Sequence, residues 1–242
     1  MDFSIILYTI FGVLPSLVWL SYYLREDVHP EPKRMIIKIF LWGALMTIPV
    51  FFVQIGFTNL LDRANINSAA RDLIYWFLII AFSEEFFKYL VIRLKVINSP
   101  HLDEPLDIML YMVVAALGFA AVENVLYLFA PAGPMSLSQL IDRTLIVDFM
   151  RFIGATFLHT LCSAVVGYSL AISFCNVKYK KITVIAGISV AILLHGLYDF
   201  SIMTSNEYTR LAVPVIIILT LAFLVFSGFE KLKKMKSVCN IN

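Results

Sequence analysis

Charged side chains are scarce in this sequence. Asp, Glu, Lys and Arg make up 15% of 242 residues, where a soluble domain carries about 25%. The formal net charge is only +2, so there is no bulk electrostatic case for a nucleic-acid partner. Cysteine is nearly absent. Cys162, Cys175 and Cys239 show neither CxxC spacing nor a disulfide framework, and Cys162 and Cys175 read as small core residues. No internal repeat is visible. The first apolar stretch lacks a basic leading region and a small-residue cleavage site, which reads as a retained helix rather than a removed signal peptide.

Apolar residues are abundant instead. They form 60% of the chain, with a mean hydropathy of +0.86, and they fall in runs of roughly 20 residues, the length that crosses a hydrocarbon core of about 30 Å. In lipid every backbone polar group must be paired within the protein, so runs of this length must be helices. The expected fold is all-α: a polytopic transmembrane helical bundle of about seven spans in one domain over 1–242. The spans are placed at 3–24, 35–58, 72–95, 107–130, 149–175, 182–204 and 208–229, followed by a short basic tail over 230–242. The connectors carry charges and breakers: Arg25 to Arg34, Asn59 to Arg71, Asn98 to Pro105 and Pro131 to Pro134. Residues 136–148 read as an amphipathic interfacial helix, where an eighth span or a re-entrant segment is the alternative. Seven spans put Arg25, Lys33, Arg34, Arg93, Lys95, Lys178, Lys180, Lys181, Lys231, Lys233, Lys234 and Lys236 on one side. Only Arg63, Arg71, Arg143 and Arg210 fall on the other. By the positive-inside rule the expected location is a multi-pass cell-membrane protein with its N-terminus outside and its C-terminus in the cytoplasm.

Several ionisable residues sit inside these spans: Glu84, Glu85 and Lys88 in the third, Glu123 beside Asn124 in the fourth, Arg151 and His159 in the fifth, and His195 and Asp199 in the sixth. One charge at mid-bilayer costs about 2.5–3.5 kcal/mol, so this set must face inward or line a wet cavity. Glu84 and Lys88 are four residues apart and share a face, while Glu85 is expected about 100° away. His195 and Asp199 share the same spacing, which lets the carboxylate orient the imidazole. Arg151 and His159 lie two turns apart on one side. Each feature alone has a structural reading as an ion pair, an interhelical hydrogen bond or a cap. The conjunction on four spans is costly as mere stabilisation, because apolar packing would serve better.

At these residues the chain resembles the PrsW family of intramembrane proteases, which shares a superfamily with CAAX prenyl proteases and bacteriocin-immunity membrane proteins. The motifs are Glu84-Glu85-Phe86-Phe87-Lys88, then Gly118 to Asn124, then Arg151, His159 and Gly167, then His195-Gly196-Leu197-Tyr198-Asp199-Phe200, with Glu31-Pro32-Lys33 in the first loop. The sequence departs from the family near Asp107 and Tyr111, where Ile108 and Met112 replace common glycines. The resemblance implies hydrolysis of a peptide bond in a membrane-anchored protein, in the manner of the first cut in a single-span anti-sigma factor, with the lipid bilayer as surroundings and no nucleic acid. Glu84 would activate water, with Glu85 and Lys88 shaping its charge. His159 and His195 would stabilise the oxyanion or protonate the leaving amine. Asp199 would orient His195, and Asn124 could hold substrate backbone. Arg151 reads as pairing with a carboxylate or snorkelling outward. Glu123 stands where the prenyl proteases generally carry histidine. Alternatively Glu84, His159 and His195 form a catalytic metal set for an ion such as zinc, although no HExxH motif is present. Two other classes remain: a proton-coupled transporter, which also uses intramembrane acids and histidines, and a non-catalytic immunity or scaffold protein on the same fold.

Overall fold

The structure is a computed structural model that describes residues 3–27, 29–130, 135–175, 180–204 and 206–235. The Pro131–Pro134 connector, Lys178, Lys236 and Cys239 lie outside the described residues, as does the side chain of Cys175. Among the described residues the ordered elements are all helical: α1 (Phe3–Tyr23), α2 (Lys33–Arg63), α3 (Ser68–Leu73), a π-helical stretch (Ile74–Ala81), α4 (Phe82–Lys95), α5 (Pro105–Leu128), α6 (Leu137–Ile153), α7 (Ala155–Cys175), α8 (Lys180–Thr204) and α9 (Glu207–Lys233).

The chain punctuates these helices as its residue types dictate. Asn67 accepts from the Ala70 amide at 2.8 Å to start α3. Glu104 and Asp107 form a capping box with Pro105 in the first turn of α5, and Ser136 and Gln139 do the same for α6. Six apolar stretches are long enough to cross a membrane, with α6 and α7 counted as one of 38 residues. The seventh rod, α3 through α4, is left out of that set by its own charges, Glu84, Glu85 and Lys88 among them. The bundle is therefore a polytopic helical one, with span boundaries within a few residues of expectation for most helices.

Two boundaries differ. The helix expected over 136–148 continues to Ile153, and the span expected from residue 149 begins at Ala155. The break falls at Gly154, where an added Cβ would lie 2.5 Å from the Tyr198 hydroxyl and 2.7 Å from the Met150 carbonyl. Arg151 and His159 thus sit on two helices rather than one. Trp19 of α1 clamps this corner: its ring stacks on Phe157 with centroids 4.2 Å apart, and its Nε1 donates to the Phe152 carbonyl at 2.9 Å.

Helix α5 is the hub. Of its most apolar window, 94% is buried, and it packs against α1, α2, α4, α7 and α9. A helix that is apolar all round belongs in such a centre. Close helix approach supplies much of the packing in a membrane, where no hydrophobic effect drives helices together. A Cβ at Gly118 would fall 1.9 Å from the Phe40 carbonyl oxygen, and one at Gly43 would fall 2.0 Å from that of Ala115. Gly118→Leu is expected to push α2 off α5 and destabilise the fold by at least about 1–3 kcal/mol, read as a lower unfolding midpoint in detergent. Ile108 and Met112, which stand where the resembling family favours glycine, are fully buried. The small residue is supplied from across the interface: Gly167 of α7 rides on Met109, Met112 and the Ile108 carbonyl. Outward, α2 and α9 present Leu41, Phe52, Leu219 and Phe223, all strongly exposed, which suits a lipid-facing surface.

Candidate active site

Helix α4 brings Ser83, Glu84, Glu85 and Lys88 into the middle of the bundle, all buried. It is enclosed by α2, α5, α7 and α8. The preceding π stretch widens the turn just ahead of these acids, a feature that often marks functional positions. Helix α8 approaches it closely because Gly196 has no side chain: a Cβ there would meet Phe77 at 2.7 Å. That approach delivers His195 to the acids.

The hydrogen bonds form one network. Lys88 Nζ lies 2.8 Å from Glu85 Oε1 and 2.7 Å from His159 Nδ1. Glu85 Oε1 also lies 2.9 Å from His195 Nδ1, and its Oε2 accepts from Ser163 at 3.3 Å. His159 Nε2 lies 2.6 Å from Glu123 Oε2, which is also 3.2 Å from Arg151 Nη2. Arg151 Nε donates to Asn124 Oδ1 at 2.5 Å, and Asn124 Nδ2 donates to Thr156 at 3.0 Å. Asp199 Oδ2 is 3.3 Å from His195 Nε2, as the four-residue spacing requires. All nine residues singled out from the sequence meet here.

One expectation is corrected. Glu85, expected about 100° around the helix from Glu84 and so off the face that Glu84 shares with Lys88, is the closer partner of Lys88 at 2.8 Å, while Glu84 Oε2 is 3.7 Å from the ammonium. Residues three apart are also neighbours on a helix. Phe82 and Phe86 take the exposed side of α4, which leaves Glu84 and Glu85 to the sides packed against α2, α5, α7 and α8.

Glu84 is the exception within the network. Its Oε2 is buried with no hydrogen-bond partner. It lies 3.9 Å from His159 Nδ1 and 3.8 Å from His195 Nε2. One ligand atom from each of these three residues falls within 4.8 Å of the others, so the donor set suits a divalent ion. The opposite ring nitrogens contact Glu123 and Glu85, the outer carboxylates that orient metal-binding imidazoles. Lys88 holds His159 Nδ1, so an ion on that nitrogen takes the place of the ammonium there.

Glu84, Glu123, Arg151, His159, His195 and Asp199 border a cavity of about 400 Å³, whose other wall includes Gln54, Tyr75 and Trp76. Four participants were not singled out from sequence: Gln54, Tyr127, Thr156 and Ser163. Gln54 Nε2 reaches Glu84 Oε1 and Ser83 Oγ, both at 3.3 Å. Tyr127 stacks under the Arg151 guanidinium, 3.9 Å from centroid to carbon. A polar residue in an apolar span was the available signal for Gln54. Tyr127, Thr156 and Ser163 carried none, since such side chains are ordinary in membrane helices. Gln54→Leu removes the donor that holds one oxygen of Glu84; the expected result is a turnover lower by roughly 10-fold or more with little change in unfolding midpoint, given that a hydrogen bond to a charged group contributes about 1.5–3 kcal/mol.

Comparisons with known proteins place the chain in a family. Residues 31–227 match the model of the PrsW family of intramembrane metalloproteases. Proteins named Protease PrsW are similar over most of their length. That of Shouchella clausii is 31% identical, covering 87% of this chain and 90% of its own. That of Oceanobacillus iheyensis is 29% identical, covering 86% and 88%, and that of Bacillus subtilis is 28% identical, covering 94% of each. No solved structure matches the chain. With four motifs drawn into one cavity and a family match over most of its length, the chain belongs to the PrsW family of intramembrane metalloproteases.

Proposed function

We propose that this membrane protease hydrolyses a peptide bond in a single-span, membrane-anchored protein of the anti-sigma-factor kind, with Glu84 as the residue that carries the chemistry. The observation behind this reading is the orphaned Glu84 Oε2, buried beside two imidazoles at the edge of a cavity. An acceptor with no protein donor is ready to take the proton of an attacking water. Glu85 fixes the plane of His195, whose Nε2, 3.3 Å from Asp199, then offers a hydrogen bond to the oxyanion or a proton to the leaving amine. His159, bonded at both nitrogens by Glu123 and Lys88, does the same only when Lys88 releases Nδ1. Arg151 Nη2, buried and ion-paired with Glu123 at 3.2 Å without a formed hydrogen bond, adds positive charge where the oxyanion develops. Asn124 steadies Arg151, and Asp199 steadies His195. Lys88 offsets the charge of the two adjacent acids.

Glu84, His159 and His195 are the residues that would hold a zinc-type ion. Such an ion supplies Lewis acidity and lowers the pKa of a bound water to about 7. Family membership supports proteolysis over the carrier and scaffold readings.

Depth bears on where the cut falls. At 1.5 Å per residue, His195 stands about 22 Å along α8 from Lys180, and Glu84 about 16 Å along α4 from Lys95. Both are past the middle of a core of about 30 Å when measured from the Lys- and Arg-rich face. With that face in the cytoplasm, the N-terminus outside and the C-terminus inside, cleavage falls toward the outer leaflet.

The test is purified protein in liposomes with a single-span reporter, its products sized by mass spectrometry and its metal content measured. One internal cut is expected, along with loss of activity after chelation and recovery with zinc. An intact reporter beside folded protein would overturn the protease reading, and full activity in metal-free protein would overturn the zinc assignment.

A further inference from the structure

A second cavity, of about 340 Å³, opens on the outer side of the bundle between α7, α8 and α9. Its walls are almost wholly apolar: Val165, Tyr168, Val190, Leu194, Leu221 and Leu224 are typical. Val190 and Leu224 are 43% and 55% exposed, so the groove opens sideways, toward the membrane. Gly228 keeps it open, since a Cβ there would sit 3.2 Å from the Tyr168 ring.

One charged side chain lines this groove, Lys231, whose ammonium is 5.8 Å from the Tyr168 ring centre. Nearby Lys233 is taken by Glu26 and Glu230. Among the described residues no carboxylate forms an ion pair with Lys231. Lys231 sits at the basic end of the bundle, the end at which α8 begins with Lys180 and Lys181. From Leu221 to Lys231 is ten residues, about 15 Å along α9. That is half of a hydrocarbon core of about 30 Å, the depth of one leaflet.

We propose that this groove binds an anionic phospholipid, with an acyl chain along α7, α8 and α9 and its phosphate on Lys231. The dimensions match a single leaflet, the wall is apolar where the chain lies, and the cation stands at headgroup level. The lipid packs on the outside of the helices that carry the active site. Leu194 precedes His195, and Ala164 follows Ser163, the donor to Glu85. The proposal is read by binding and is independent of the protease reading.

Native mass spectrometry of the purified protein tests it, with phosphatidylglycerol and phosphatidylcholine of identical chains as probes. The expected result is an about fivefold preference for phosphatidylglycerol, the effect of one lysine at a lipid surface. Lys231→Gln should erase the preference while leaving some retention of both lipids. Val190→Trp, which fills the groove from its half-exposed rim, should remove retention of both. Each variant should keep the wild-type unfolding midpoint; a preference that vanished only together with the fold would count against the site. Equal retention of the two lipids by the wild type would overturn the proposal. So would unchanged retention in either folded variant, or displacement of the lipid by glycerol phosphate, which has no acyl chain.

Discussion

Glu84→Gln is expected to slow cleavage of a reconstituted single-span substrate by about 10²–10⁴-fold, the range a positioned general base supplies. The substitution keeps the shape of the side chain. It keeps an oxygen for Gln54, whose donor lies 3.3 Å away, and it leaves the Lys88–Glu85–His195 chain untouched. The unfolding midpoint should therefore stay near that of the wild type. The loss would come from an amide that cannot take a proton from water and binds metal poorly. Cleavage within a few-fold of wild type would show that Glu84 is not the reacting carboxylate, and attention would pass to Asp199 and Glu123, the other acids on the cavity wall.

The second large effect is on stability. Lys88 and Glu85 are each fully buried and 2.8 Å apart. Lys88→Leu leaves the Glu85 carboxylate without its cation in a low-dielectric interior, a change that costs about 3–5 kcal/mol for a buried pair broken from one side. Pairing it with Glu85→Gln should recover most of that loss, because the residual amide can still meet His195 and Ser163. Unfolding in a denaturing detergent series reads both variants. A Lys88→Leu protein as stable as wild type would mean that water or another cation already screens Glu85. Full stability of the single variant with lost cleavage would move Lys88 from structure to chemistry.

Much of this is legible in the sequence because charge is so rare in its apolar runs. Each of Glu84, Glu123, His159 and His195 stands out against a background that penalises it, and each reaches the cavity. The span from Pro105 to Leu128 falls within two residues of expectation at either end for the same reason. What escapes is decided by neighbours rather than by period. The inward turn of Glu85 follows from four helices, α2, α5, α7 and α8, packing around all but the Phe82–Phe86 side of α4, which no single-helix projection can reveal. The break at Gly154 depends on Tyr198, 44 positions away in sequence, and the π stretch over Ile74–Ala81 reads as an ordinary apolar helix until Gly196 is seen pressed against Phe77. Gln54 lies in an expected span, 35–58, whose one other ionisable or amide side chain is Lys38, sixteen residues away, so nothing in that span suggests a partner.

Glu84 and His195 acting as one unit in one cavity would show in a double-mutant cycle on the cleavage rate. The rates to compare are those of wild type, Glu84→Gln, His195→Ala and the double variant, all in the same liposomes. Groups that work together lose their effect together, so the double variant is expected to be no slower than the worse of the two single variants. A double variant slower by the full product of the two single losses would mean that Glu84 and His195 have independent roles at separate places.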